Sequence, residues 1–263
     1  MTKLSAAFSS ALLLLISINA QAQPAASGFA GMWSDPPDTP EGLFCFFNCT
    51  DYGLAALGRL LDDPANDDRS YNELTGEAKR AVNEAVLMPV LTEAAIAAGR
   101  TSGADDPGFL NCEPWGFAKE IFSPHQNEIT INADHIVMHY AEWDAYRTIY
   151  TDGRSPPENM QPSLLGFSTG SIEAGTLTVN TTHIAAGLLN DWQHSDELTA
   201  EEHYTISEDG QILTLYVSFQ DSWALKAPLT VKKIWKWSPD EEIYPYDECI
   251  IPTDFIESRG AAR

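Results

Sequence analysis

From Asn127 onward the apolar residues of this chain repeat every second position. The pairs Ile129/Ile131 and Leu177/Val179 alternate with polar residues, and so do three longer series. These are Ile136/Met138/Tyr140, then Leu213/Leu215/Val217/Phe219, then Leu229/Val231/Lys233/Trp235. Successive side chains of an extended strand point to opposite faces, so this period marks strands with one face buried. Turn-forming clusters separate them at Asn132-Ala133-Asp134, Thr151-Asp152-Gly153, Glu173-Ala174-Gly175 and Glu208-Asp209-Gly210. Parallel neighbours need a crossover of a dozen residues or more, usually a helix, and no helical run of that length falls between the strands. The expected fold is therefore mainly β: an antiparallel meander of seven or eight strands, closed into a lipocalin-like barrel or strongly curled. Trp33, in the Gly31-Met32-Trp33 strand-like piece, is compatible with the opening of such a barrel.

The segment before the strands reads differently. Leu54, Leu57, Leu60 and Leu61 share one helical face, and Asp62-Asp63-Pro64 ends that run. Thr75 is the expected cap of a second helix carrying Ala78, Ala81, Val82, Ala85 and Val86, with a kink or break at Pro89. These helices are too small to fold alone and are expected to pack on the β domain. The organisation expected is a signal peptide over 1–22, a Pro-rich and helical segment over 23–108, an antiparallel β domain over 109–250 and a flexible tail over 251–263.

Export is read from the first residues. Lys3 supplies a positive start, Ala11 to Ile18 are unbroken apolar, and Ala20-Gln21-Ala22 has the small-x-small form that signal peptidase cuts. The apolar run is shorter than the ~20 residues a bilayer span needs. Cleavage after Ala22 leaves a chain with no membrane insertion, periplasmic or secreted; the alternative is an uncleaved anchor. Cys45, Cys49, Cys112 and Cys249 make an even number, which in an oxidising compartment suggests two disulfides with three possible pairings. A metal site is the rival for the cysteines, weakened by the apolar spacer Phe46-Phe47-Asn48 and the lack of a nearby histidine. The formal net charge of -23 repels nucleic acid and anionic lipid, which are not expected as partners; its bland reading is solubility alone. A small molecule is the expected partner, with no cofactor and no metal; the oligomeric state stays open.

Motifs for phosphate loops, dinucleotides and zinc proteases are absent. Two polar groups remain. In Tyr146 to Arg154, Arg147 shares a face with Ile149, while Tyr146, Thr148 and Tyr150 share the other; Asp152 and Arg154 sit at the turn. Two arginines beside a carboxylate suit an anionic or carbonyl ligand, or form a brace across strand ends. The second group is His194 with Asp196, Glu201, Glu202 and His203. Glu202 and Tyr204 share a face, and a carboxylate turned into a barrel is a candidate general acid or base with histidine as partner. Its bland alternative is an exposed acidic edge. The candidate catalytic residues are thus Glu202, His194 and Asp152, and the candidate ligand-binding residues Arg147, Arg154, Tyr150 and Trp192.

Several pieces occur in the order of one pattern. They are Leu74-Thr75-Gly76-Glu77-Ala78, Cys112-Glu113-Pro114-Trp115-Gly116 and Arg147-Thr148-Ile149-Tyr150-Thr151-Asp152-Gly153-Arg154. Gly166-Phe167-Ser168-Thr169-Gly170, Thr176-Leu177, His194-Ser195, Glu202 and Cys249 follow. Over roughly residues 74–250 the chain resembles a large family of uncharacterised exported bacterial proteins. It departs from the pattern where Pro156 and Phe167 replace histidines and Ile172 a tryptophan, and where Ala174-Gly175 stands for a Gly-Asp turn. The resemblance implies an envelope location and a β-rich fold, and it supplies no reaction. The leading expectation is a barrel that binds a small, partly apolar molecule with a carbonyl or carboxylate group. The alternatives are a metal-independent acid/base enzyme (lyase, isomerase or hydrolase) in the same pocket, and an envelope structural or assembly protein.

Overall fold

Nine strands with one apolar face each must bury that face, and here they do so by closing on themselves. The computed structural model describes residues 28–34, 50–101 and 113–244. The strands are β1 (Gly31–Ser34), β2 (Asn127–Ile131), β3 (His135–Tyr140), β4 (Ala145–Tyr150), β5 (Phe167–Glu173) and β6 (Thr176–Thr182). They continue with β7 (Gly187–Leu189), β8 (Trp192–His194), β9 (Thr199–Ile206), β10 (Ile212–Gln220) and β11 (Leu229–Trp237). Around the closed barrel the order is β1-β11-β10-β9-β6-β5-β4-β3-β2, and β7 with β8 forms a separate hairpin. Short β1 closes the cylinder: Trp33 lies opposite Trp237 of β11 on one side and Asn127 of β2 on the other. Trp33 is fully buried, donates Nε1–H to the Phe29 carbonyl at 2.9 Å and meets Trp237 edge-on at 5.0 Å.

The expected alternation is realised in the register. Leu213, Leu215, Val217 and Phe219 of β10 are each 0 % exposed, and Leu177, Val179, Ile136 and Met138 are buried with them. The meander is interrupted once. The 151–166 connection, carrying Pro156, Pro157 and Pro162, returns the chain along the barrel, so that β5 runs parallel to β4 at Ile149↔Ser168 and Tyr150↔Thr169. Proline supplies neither a helical nor a ladder N–H, which leaves this crossover irregular.

The two ends of the barrel differ. One is closed by the tight turns 132–134, 174–175 and 207–211. The other carries the longer segments 113–126, 141–144, 183–198 and 221–228. The helices α1 (Asp51–Leu61), α2 (Tyr71–Val82) and α3 (Glu93–Ala98) precede β2, as does the short α4 (Phe117–Glu120). The helical segment packs on the barrel: Leu91 bridges Leu225, Arg100 bridges Trp192, and Leu54 packs on Ile234. All of α4 except Lys119 is buried, with Phe117 edge-on to Phe219 at 6.4 Å and Phe122, just beyond the helix, tilted against the same ring at 6.3 Å, so α4 plugs the long-segment end.

The start of α2 differs from expectation. Ser70, not Thr75, is the cap: its hydroxyl accepts from the Glu73 N–H and Glu73 reaches back to the Ser70 N–H, a complete capping box. Thr75 is buried inside the helix with Oγ1 donating to the Asn72 carbonyl. Near Pro89 the helix is not broken outright. It widens into a π turn at Asn83–Leu87 before Met88–Val90, which accommodates the missing proline N–H. The signal peptide, the four cysteines Cys45, Cys49, Cys112 and Cys249, and the tail lie outside the described residues.

One backbone position tests the closure of the parallel crossover. Gly166 has φ +69°, and a Cβ there would stand 2.7 Å from the Thr182 carbonyl oxygen. A left-handed backbone and a rigid obstacle combine, so Gly166→Ala is expected to cost about 2 kcal/mol in urea unfolding. A loss below about 0.5 kcal/mol would show that β5 and β6 can separate there without penalty.

Candidate functional site

The period-2 pattern turns Arg147 and Glu202 into the barrel interior, where they are 2 % and 0 % exposed. The guanidinium of Arg147 on β4 crosses the inner faces of β5 and β6 to reach the Glu202 carboxylate on β9. Nη1 donates to Glu202 Oε2 at 2.8 Å and Nη2 to Oε1 at 2.6 Å, while Nε donates to Ser168 at 3.0 Å and Nη2 also to Thr181 at 2.7 Å. The Tyr204 hydroxyl donates to Glu202 Oε2 at 2.7 Å, and the Thr181 hydroxyl to Oε1 at 3.1 Å. Phe117 covers the cluster, with the guanidinium carbon 4.6 Å from its ring. Burial alone would lower the Arg147 pKa, but Glu202 foremost, with Tyr140 and Tyr204, more than offsets this and holds it well above the usual arginine value. Burial, then the Glu202 charge, pushes the Tyr204 phenol far above its ordinary value. Both oxygens of Glu202 are thus engaged and the space around them is filled by protein, so proton transfer from Glu202 to a ligand would require dismantling the pair.

The other candidates sit elsewhere. Arg154 and Asp152 lie at the short-turn end, exposed: Arg154 Nε donates to both oxygens of Asp152 at 2.9 Å, Nη2 reaches Asp134 at 3.3 Å, and the guanidinium stacks 4.2 Å from the Tyr150 ring. The arginine, chiefly through its hydrogen bonds, holds Asp152 down at about 2. This is a brace across the turns at 132–134 and 151–154. Tyr150 also stacks on Phe167 at 5.2 Å. Glu201 and His203 pair on the outer surface at 2.8 Å. His194 and Trp192 are on β8, at the opposite end from Arg154. Trp192 donates Nε1–H to Asn83 at 3.3 Å and carries the Arg100 guanidinium 5.9 Å from its ring. Glu202, His194 and Arg154 therefore do not converge: they occupy the interior, the long-segment end and the short-turn end.

Open space lies at the long-segment end. A cleft of about 670 Å³ runs between the end of α2, α4 and the β7–β8 turn, walled by Leu87, Trp115, Ala118 and Phe122. Lys79, Arg80, Arg100 and Lys119 line it, against two acidic residues, Glu84 and Asp191. Fifteen basic residues stand against 38 acidic ones in the whole chain, so the excess of cations here reverses the sign of the molecule locally. Arg100 forms an ion pair with Asp191, and Lys119 Nζ stands 4.4 Å from the Trp115 ring. Reading the sequence in strands missed this set, because its members come from two helices and a bridge residue, Arg100, far apart in the chain. The available signal was the scarcity of basic residues, which makes Lys79-Arg80, Arg100 and Lys119 conspicuous in an acidic segment. Among the described residues, no group of three His, Cys, Asp or Glu side chains is gathered to hold a metal ion. Compared with protein-family models, curated proteins and solved structures, the chain matches none.

Proposed function

We propose that this is an exported periplasmic or secreted protein that binds a small, partly apolar carboxylate at the long-segment end of its barrel. The observation that carries the reading is the cation-lined, aromatic-walled cleft in a chain of net charge -23. An apolar wall with a few convergent charges is the usual make-up of a small-molecule site. Arginine and lysine recognise carboxylates through charge-assisted hydrogen bonds. Arg147 and Arg154, the arginines expected to hold such a group, are held by Glu202 in the barrel interior and by Asp152 with Asp134 at the short-turn end, so a ligand in the cleft would meet Lys79, Arg80, Arg100 and Lys119 instead. The export part of the reading is supported by the leader-like residues 1–22 and by the family resemblance.

Thermal unfolding of the mature oxidised chain against a panel of small aliphatic and aromatic acids tests this. An acid at 100 times its Kd is expected to add about 2.7 kcal/mol, a shift of several degrees. The double variant Arg80→Gln/Arg100→Gln is expected to lose the shift, and Arg154→Ala to keep it. No shift with any acid, or a shift that survives the double variant, sinks the assignment to this cleft.

A further inference from the structure

A second cavity, of about 340 Å³, shares Trp115 and Lys119 with the cationic cleft and continues toward the β7–β8 hairpin, where Leu164, Leu188, Gln193 and His194 line it. Two polar atoms of its lining residues are buried without a hydrogen-bond partner: Trp115 Nε1 and His194 Nε2. The indole nitrogen can only donate. The role of the imidazole nitrogen follows from its neighbour. His194 is 2 % exposed, and its Nδ1 lies 2.8 Å from the Ser195 carbonyl oxygen, which can only accept. The proton is therefore on Nδ1, and Nε2 presents a lone pair. Desolvation keeps the ring neutral by holding its pKa below the ordinary histidine value, although the Ser195 carbonyl and Asp221 pull the other way.

The arrangement is held from behind. Asp221 accepts from the Ser195 N–H at 2.6 Å and from the Ser195 hydroxyl at 3.0 Å, and the Trp223 and Ala224 N–H groups fix the same carboxylate at 2.8 and 3.0 Å. Gly187 stands in front: a Cβ there would come 3.2 Å from His194 Nε2, so the glycine keeps side-chain atoms off the nitrogen.

An unused donor and an unused acceptor are complemented by one group that both accepts and donates. A hydroxyl does this; a carboxylate or ether only accepts, and an ammonium only donates. We propose that the second cavity is a hydroxyl subsite, and that the ligand is a hydroxy acid with its carboxylate on the cleft cations and its hydroxyl between Trp115 and His194. This rests on the carboxylate-binding reading and extends it to a ligand class.

Calorimetric titration with two matched pairs tests it: 3-(4-hydroxyphenyl)propionate against 3-phenylpropionate, and 10-hydroxydecanoate against decanoate. In at least one pair the hydroxy acid is expected to bind about tenfold more tightly, the effect of one well-made buried hydrogen bond. His194→Phe should erase that preference while leaving the unhydroxylated acid within about twofold. Arg80→Gln/Arg100→Gln should weaken both members of a pair alike. Because His194→Phe can perturb the fold, nitrogen NMR of the wild-type imidazole is read in parallel. Nε2 should be the unprotonated nitrogen, and its signal should move with the hydroxy acid only. Equal binding of both members of each pair, or a proton found on Nε2, overturns the hydroxyl subsite while the carboxylate reading stands. Binding of no acid from either pair overturns the two together.

Discussion

Arg147→Ala is expected to destabilise the protein by about 3–5 kcal/mol, the largest loss of any single substitution considered for this fold. The substitution leaves the Glu202 carboxylate inside a closed barrel, 0 % exposed, with only the Thr181 and Tyr204 hydroxyls to solvate it. For a domain of this size such a loss lowers Tm by roughly 10 °C. Removing both charges together has a different outcome. Arg147→Met/Glu202→Leu trades the pair for apolar side chains of comparable bulk, and buried ion pairs replaced in this way are often neutral or better. The double variant is expected to recover most of the lost stability and to keep its acid-induced thermal shift, because the pair lies under Phe117 and outside the cleft. Urea unfolding of the three proteins decides this. A double variant as unstable as Arg147→Ala would mean that the pair holds the barrel by geometry and not merely by charge balance. Loss of the ligand response in a well-folded double variant would return Arg147 and Glu202 to the binding site.

Glu120→Gln is expected to stabilise the protein at neutral pH, by on the order of 3 kcal/mol. Glu120 is 0 % exposed on the α4 plug. One carboxyl oxygen accepts the Trp115 N–H at 3.1 Å, and the other, Oε1, has no hydrogen-bond partner. Burial, reinforced by the nearby Glu142 charge, raises its pKa from the ordinary 4.5 to about 9. Below pH 4.5 the group is protonated in both folded and unfolded chains and contributes no pH dependence. Between that value and about 9 the unfolded chain releases the proton and the folded chain keeps it, so this group makes stability fall as pH rises. Each pH unit between the two midpoints is worth about 1.4 kcal/mol, which gives the figure at pH 7. Glutamine keeps the acceptor for Trp115 and removes the titration. The two proteins should therefore be alike near pH 4 and diverge progressively toward pH 8 in urea unfolding. A constant difference across that range would show that Glu120 does not titrate as its burial demands.

The β half was legible because its signal is local. Arg147 with Ile149, and Glu202 with Tyr204, fall on the faces assigned by counting residues in twos, and Glu201 with His203 falls outside. The same counting could not say that Arg147 and Glu202 face each other. They are on β4 and β9, and only the parallel entry of β5 and the pairing of β6 with β9 set them across the interior. Proximity in sequence also grouped Arg154 with Arg147, although the chain leaves the barrel between them and Arg154 ends in a surface brace with Asp152.

The sequence by itself determined the secondary-structure period, the position of most turns and the inward face of the long strands. Each of these depends on neighbouring residues and on the preference of apolar groups to leave water. Tertiary structure alone decided which end of the barrel carries the open cleft and which cations line it. Lys79, Arg80, Arg100 and Lys119 meet because α2, α4 and the bridge of Arg100 to Trp192 come together at one end of a closed cylinder, and contacts between residues so far apart leave no local pattern to read.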